Sequence, residues 1–448
     1  MWPIVCRVNQ SVNQTPFVAG MYIGETKPSC LFKLFMPFIE QYISCKDDLV
    51  VGSDAYMVRI LCFICDAPAR ALLKGCKSHG GYDACDYCRQ HGVYLSDFKK
   101  VIYSDTAMEP RSDETFKRQE EFGYQNTLSP LTGIVPMITS FPPEYMHLVN
   151  LGIVRRFIHI WCSEKRGKHR ITASQLRVLG EEILTLSKQL PREFTRRPRH
   201  LSDSKSWKAT EFRTFLLYQS PIVLKHTLSK EKYNHFLLLH FAIYSLCSDN
   251  WEHYLATADA CLQKFVAEIR VLYGEENLVY NVHVLLHITH FVKLYGNLDS
   301  WSAFWGESFL GLIRRHFRGP KHLLSQAVNR INEIHNCPSY FHVPITRNLK
   351  CLHDSVYLTE IGMALLKDIP MSGEVKCIAI PLEFVTDLYD YPLPSRRLNI
   401  GIYRKVNEQR VVTNLQRKCI AYTYTENGDQ LIVFPMCSKK YHSNGWAY

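Results

Sequence analysis

Four soft ligands stand close together in Cys76-x2-His79-x5-Cys85-x2-Cys88, on a loop that also carries Gly80 and Gly81. Two close pairs of thiol and imidazole match a tetrahedral zinc site, which takes cysteine sulfur and histidine nitrogen. A bound ion would also explain how so polar a loop stays ordered. The competing reading is four unremarkable residues in a chain that holds 16 cysteines. Two acids form the second candidate set. Asp66 ends the apolar run Met57 to Cys65, inside Cys65-Asp-Ala-Pro-Ala-Arg70. A carboxylate at the tip of a strand faces the crevice where sheet proteins place ligands. Alternatively, Asp66 caps a helix with Pro68 in its first turn. Glu307 lies among Trp301, Phe304, Trp305 and Leu310, an apolar setting in which a carboxylate tends to be paired or coordinating. Its bland alternative is a surface glutamate near a helix start. His283, His287 and His290 fall at i, i+4 and i+7 on one helical face, and are read as packing histidines because no glutamate follows His283 as in zinc hydrolases.

The elements that must position these groups follow from patterning. Trp2–Val8 and Pro16–Gly24 read as strands around a polar turn, Ser29–Ser44 as a helix, and Tyr56–Cys65 as a third strand. Residues 76–130 are loop-rich. From Glu144 to Leu294 apolar residues recur at three and four positions, giving a helical block, and Trp301–Phe317 is a further amphipathic helix. After Ser372 short β-type runs take over. The expected class is mixed α/β, mostly α by content, in four parts. These are a sheet segment with the Cys/His loop (1–143), a helical insertion (144–295), a helical end of the core carrying Glu307 (296–370) and a small β-rich C-terminal unit (371–448).

Net charge is +11, which suits a polyanionic partner. The cations cluster at Arg155-Arg156, at Lys165-Arg166 through Arg170, from Arg192 to His200, and at Arg314, Arg315, Arg318 and Lys321. Scattered cysteines point to reduced thiols in a nuclear or cytosolic setting. No charged leader with an apolar stretch is visible at the start. The longest apolar run, Phe236–Cys247, is too short to span a bilayer.

Taken in order, Met1-Trp-Pro-Ile4, Pro16-Phe-Val-Ala-Gly20, Gly24-Glu-Thr-Lys-Pro28, Cys65–Arg70, Lys77–Cys85, Tyr145-Met-His-Leu148, Trp207–Arg213 and Tyr280-Asn-Val-His283 resemble the CACTA (En/Spm-like) DNA transposon transposases of animal genomes. The resemblance covers about residues 1–355. It implies an RNase H-like core with a large helical insertion before the last catalytic acid. It further implies duplex DNA as partner, with homo-oligomer formation in view, and an Asp, Asp, Glu set holding two divalent ions, usually Mg²⁺. By motif, Asp66 would be the second aspartate and Glu307 the glutamate. The Cys/His loop would be the family's cysteine-bearing element, and His147 a weaker candidate near the site. The family's first aspartate sits in an Asp-Gly element before the Trp-Pro-Ile strand; here the sequence begins at Met1-Trp2-Pro3 and no carboxylate precedes Glu25. The expectation is therefore a truncated or domesticated derivative in which cleavage and strand transfer are incomplete. A non-catalytic nucleic-acid-binding protein and a protein-interaction scaffold are the alternatives.

Overall fold

A computed structural model of the chain describes residues 1–9, 15–104, 109–162, 168–315, 317–319, 321–336, 352–367 and 376–437. Two compact units emerge. The first comprises Met1–Tyr145, Leu278–Phe291 and Trp301–Val343; the second comprises Met146–Asn277, Val292–Ser300 and Pro344–Tyr448.

In the first unit β1 (Trp2–Cys6) pairs antiparallel with β2 (Phe17–Tyr22), from Trp2 opposite Tyr22 to Cys6 opposite Phe17. Helix α1 (Leu31–Cys45) buries Phe35 and Ile39, four residues apart on one face. A tight hairpin follows, β3 (Leu49–Val51) with β4 (Asp54–Tyr56), turning at Gly52 with φ +66°. The sequence predicts a strand over Tyr56–Cys65, but Tyr56 ends the hairpin and residues 57–65 enter no ladder. Their bonded backbone amides reach elsewhere, Val58 to the Lys46 carbonyl and Phe63 to the Ser140 carbonyl. Strand propensity needs a partner strand to become a strand.

Helix α2 (Ala67–Lys74) starts at Asp66 and stops at Gly75, whose φ is +68°. A Cβ at Gly75 would stand 2.3 Å from the Thr127 carbonyl oxygen, so both backbone angle and space demand glycine. The hairpin of β5 (Val93–Leu95) and β6 (Lys100–Ile102) comes next, then α3 (Asp113–Lys117), opened by a reciprocal Ser112–Thr115 capping box. The strands of this unit form three separate two-stranded sheets among the described residues.

The helical block contains α4 (Arg155–Cys162), α5 (Ala173–Lys188), α6 (Ala209–Thr214), α7 (Ser220–Val223), α8 (Lys230–Cys247) and α9 (Trp251–Tyr273). Two π-helical stretches interrupt it, Met146–Val154 and Phe215–Gln219. From His235 to Cys247 every residue of α8 is buried, so the apolar run seen in the sequence is the centre of this block. No helix among the described residues is long and apolar enough to cross a membrane.

Short α10 (Tyr280–Val284) belongs to the first unit and leads into α11 (Ile288–Tyr295). The expected 144–295 insertion thus yields Leu278–Phe291 to the first unit. Helices α12 (Phe304–Arg315) and α13 (Leu323–Asn336) complete that unit.

The C-terminal part is larger than expected and begins before residue 371. Strands β7 (Val356–Thr359), β8 (Gly362–Leu366), β9 (Cys377–Thr386), β10 (Gly401–Lys405), β11 (Arg410–Val412), β12 (Leu415–Thr423) and β13 (Gln430–Pro435) are all antiparallel. Their order is β10-β13-β12-β7-β8-β9, and β9 pairs back to β10, closing six strands into a barrel with β11 appended to the start of β9. Val356, Leu365, Leu382, Tyr403, Ala421 and Val433 pack together as one core. A small closed barrel filled by its own side chains is a packed core rather than a ligand cup. The chain is therefore mixed α/β, with a helical block and an antiparallel barrel sharing one unit.

Candidate metal centre

Cys85 and Cys88 sit on the loop between α2 and β5, while His283 lies in the last turn of α10 and His287 one turn further on. The two pairs are 202 and 195 positions apart in the chain, yet their four ligand atoms all lie within 4.8 Å of one another. Cys85 Sγ is 3.5 Å from His287 Nε2, Cys88 Sγ is 3.2 Å from His283 Nε2, and the two Nε2 atoms are 3.4 Å apart. A tetrahedral zinc, with bonds of about 2.3 Å to sulfur and about 2.0 Å to nitrogen, sets sulfur–nitrogen edges near ~3.5 Å and nitrogen–nitrogen edges near ~3.3 Å. The donor set and spacing fit a structural zinc ion. Three of the four groups are buried and His287 half-buried, as a closed site requires.

The surroundings hold these ligands in place. Backbone amides donate to both sulfurs, Tyr87 to Cys85 Sγ and Gln90 to Cys88. A hydrogen bond from Cys85 pulls the Cys88 thiol below its ordinary range, against the effect of burial. His283 lies nearly flat on Tyr103, with ring centroids 5.3 Å apart, and His287 packs on Tyr87. Arg111 donates through Nε to the Cys85 carbonyl at 2.9 Å and is paired with the fully buried Glu121. Such outer partners orient metal ligands.

Asp86, between the two cysteines, is fully buried, and its carboxylate is saturated. Oδ2 accepts from Arg70 Nε at 2.9 Å and Tyr280 OH at 2.8 Å; Oδ1 accepts from Lys74 Nζ at 3.2 Å and Tyr124 OH at 2.6 Å. Burial alone would raise this carboxyl, but Arg70, Lys74 and the two phenols hold it well below the usual carboxylate range. Tyr280 is three residues before His283, so this network joins the same two segments as the candidate metal centre.

The sequence-predicted quartet is corrected by half. Cys76 is not in this group: its sulfur lies 3.4 Å from the Lys74 carbonyl, and burial pushes the thiol up to about 11. His79 is exposed and pairs with Ser78 Oγ. Of the three histidines read as packing residues, His283 and His287 supply the other half, whereas His290 is exposed beside Phe291. The i, i+4 spacing was the available signal. The glutamate that follows the first histidine in zinc hydrolases serves catalysis and is not required of a structural ion.

Asp66 performs the capping role. Its Oδ1 accepts the Ala69 amide at 2.8 Å. Glu307 occupies the first turn of α12 but is exposed, because Phe304 and Phe309 take the buried face; its apolar neighbours in sequence are not its surroundings in space. Both acids belong to the first unit. One link runs between their segments: buried Glu144 accepts the Ala303 amide at 2.7 Å, one turn before Glu307, and its charge also reaches Cys65 next to Asp66. Burial, with these charges, pushes the Cys65 thiol up to about 12. Among the described residues only the Cys/His group brings three or more such ligands together, so no step through Mg²⁺ is derived from Asp66 and Glu307. His147 lies half-buried in the π-helical stretch that opens the second unit.

Among the expected nucleic-acid contacts, Arg155 is exposed, but Arg156 is engaged internally, donating to Asn277 Oδ1 at 2.6 Å. Lys165 and Arg166 lie outside the described residues. Arg314, Arg315, Arg318 and Lys321 are all exposed around the α12–α13 connection. Gln326 organises that connection, accepting the Arg318 amide at 2.7 Å and donating to the Gly319 and Lys321 carbonyls. No family model matches the chain, and no curated protein is significantly similar to it.

Proposed function

We propose that this chain is a nucleic-acid-binding protein of CACTA-transposase ancestry, acting in the nucleus on duplex DNA, with a structural zinc ion in its first unit. One observation carries the reading. The loop after α2, the helix capped by Asp66, and the α10 segment, which lies before α11 and Glu307-bearing α12, come together at a single Cys85, Cys88, His283, His287 set. The resemblance requires the segments bearing those two acids to cooperate, and both lie in one compact unit. A second support is the basic stretch at the end of α12 and beyond it, where Arg314, Arg315, Arg318 and Lys321 are exposed and Gln326 braces the backbone at Arg318, Gly319 and Lys321. Cations on a pre-formed loop can neutralise phosphates with little ordering cost.

Binding is favoured over present catalysis because two carboxylates alone do not provide a two-ion clamp. The discriminating experiment is duplex binding across a salt series, with zinc content measured on the same preparation. The expected result is about one zinc per chain and an affinity that falls linearly on a log–log salt plot. Arg314→Ala and Arg318→Ala should each lower the slope by about 0.9. Asp66→Ala should leave affinity unchanged. Salt-independent binding, or none, would refute the proposal; Mg²⁺- or Mn²⁺-dependent nicking abolished by Asp66→Ala would instead establish a nuclease.

A further inference from the structure

Within the second unit, the helical block and the barrel meet at a pocket of about 460 Å³, its open mouth included. The segment after α5 lines it with Phe194 and Arg196, α6 with Thr210 and Arg213, the π-helical stretch after α6 with Tyr218, and the end of β13 with Met436. Local sequence sets this face. Thr210, Thr214 and Tyr218 follow at steps of four, which stay on one side through an α turn and the wider π turn after it. Much of the wall is apolar. Phe194 meets Tyr218 edge to face, with 5.8 Å between ring centroids. The Tyr218 hydroxyl is already engaged, donating to Cys437 Sγ at 3.4 Å and accepting the Cys437 amide at 3.2 Å.

The polar groups of the pocket do not close among themselves. Thr210 Oγ1 is buried, yet it has no hydrogen-bond partner among the described residues. A buried hydroxyl left in that state costs stability, and a ligand that bonds it recovers the loss. The charges leave one cation over. Glu193 pairs with Lys418 at 2.6 Å, Asp354 is shared by Lys418 and Arg192, and Asp299 accepts Arg213 Nη2 at 2.8 Å. Three acids and three cations are thereby satisfied. Arg196 lines the same pocket and has no carboxylate partner among the described residues.

We propose that this pocket binds a small organic carboxylate, its head against Arg196 and the Thr210 hydroxyl and its apolar body against Phe194, Tyr218 and Met436. A guanidinium fork matches the two oxygens of a carboxylate. A mostly apolar concavity with a few placed polar groups is the usual form of a small-molecule site. One surplus cation suits a single negative charge, where phosphate would bring nearly two. The proposal goes beyond the nucleic-acid reading and uses none of its residues.

The test is isothermal titration calorimetry of the full chain with benzoate, with benzamide as a neutral molecule of the same shape, and with inorganic phosphate. Benzoate should bind about 10- to 100-fold more tightly than benzamide, because hydrogen bonds to a charged group are the strong ones. Phosphate, which has no apolar body, should bind more weakly than benzoate. Arg196→Gln alters an exposed side chain and should weaken benzoate about 10- to 100-fold while leaving benzamide unchanged. Thr210→Val keeps the shape and removes the unpartnered hydroxyl. It should weaken benzoate about 2- to 10-fold, yet the melting temperature should hold or rise, which a merely structural role for the hydroxyl does not allow. No benzoate binding, benzoate no tighter than benzamide, or an affinity indifferent to Arg196→Gln would overturn the proposal. Phosphate bound more tightly than benzoate would overturn the choice of a carboxylate.

Discussion

At the scale of single residues, the decisive feature is how completely certain buried charges are satisfied. Asp86 accepts four hydrogen bonds, two from cations, in the interior of the first unit. Asp86→Asn keeps the shape but removes the charge that Arg70 and Lys74, both buried, require. Breaking a buried pair from one side strands the other side, so the substitution should cost about 3–5 kcal/mol in urea unfolding. His235 and His240 give the opposite case, buried imidazoles kept neutral. Burial pushes both from 6.5 to about 4, partly offset by bonds to the Phe265 and Leu216 carbonyls. The unfolded chain takes up these protons near pH 6.5 and the folded chain only near pH 4. Stability contributed by each is therefore present above pH 6.5 and lost as pH falls towards 4, by about 3 kcal/mol per histidine. Melting temperatures between pH 4 and 7 should trace that loss, and His240→Gln should flatten it. An unaltered pH profile in the variant would show that another group governs acid unfolding.

At the scale of elements, the α12–α13 connection separates charge from order. Gln326 carries no charge, yet three of its hydrogen bonds shape the backbone that presents Arg318 and Lys321. Gln326→Ala should weaken duplex binding several-fold, since the loop must then be ordered on binding. The salt slope should stay the same because no phosphate contact is removed. A changed slope would mean that a cation had moved out of reach. Elements are also where reading the sequence succeeded and failed most clearly. The β1–β2 hairpin, α1 and the apolar helical block follow from local periodicity, which a single chain segment contains in full. The run 57–65 has every mark of a strand but no ladder partner, a property of neighbours rather than of the run. Strands β7 and β8 lie inside the span expected as a helical end of the core, although they form a local hairpin with Thr359 opposite Gly362; what local pattern does not contain is the wider sheet they enter through β12 and β9. For the site, Cys85 and Cys88 were legible as a close pair. Their partners were not, because nothing in the spacing of His283 and His287 says which loop, about 200 positions away, will meet them.

For the whole molecule, the consequence of that distance is thermodynamic. The Cys/His clasp closes a stretch of 202 positions between Cys85 and His287, and much of that stretch, Met146–Asn277, folds as part of the second unit. A metal ion bound there would add to the stability of the first unit by tying two segments separated by that excursion, and its affinity would become folding free energy. The Asp86–Tyr280 contact bridges the same two segments without metal, at 2.8 Å, so removal of zinc should loosen the first unit rather than abolish it. Calorimetry with and without a strong zinc chelator provides the check. Chelation should lower the melting temperature of one transition while a second, from the helical block and barrel, stays put. Cys88→Ser should reproduce the chelated trace and respond no further to chelator. Asp86→Asn combined with chelation should lower that transition further than either change alone, because the metal tie and the charged network around Asp86 are then both weakened. A uniform shift of a single transition would mean that the two units unfold together; no shift would mean that the four ligands hold no metal.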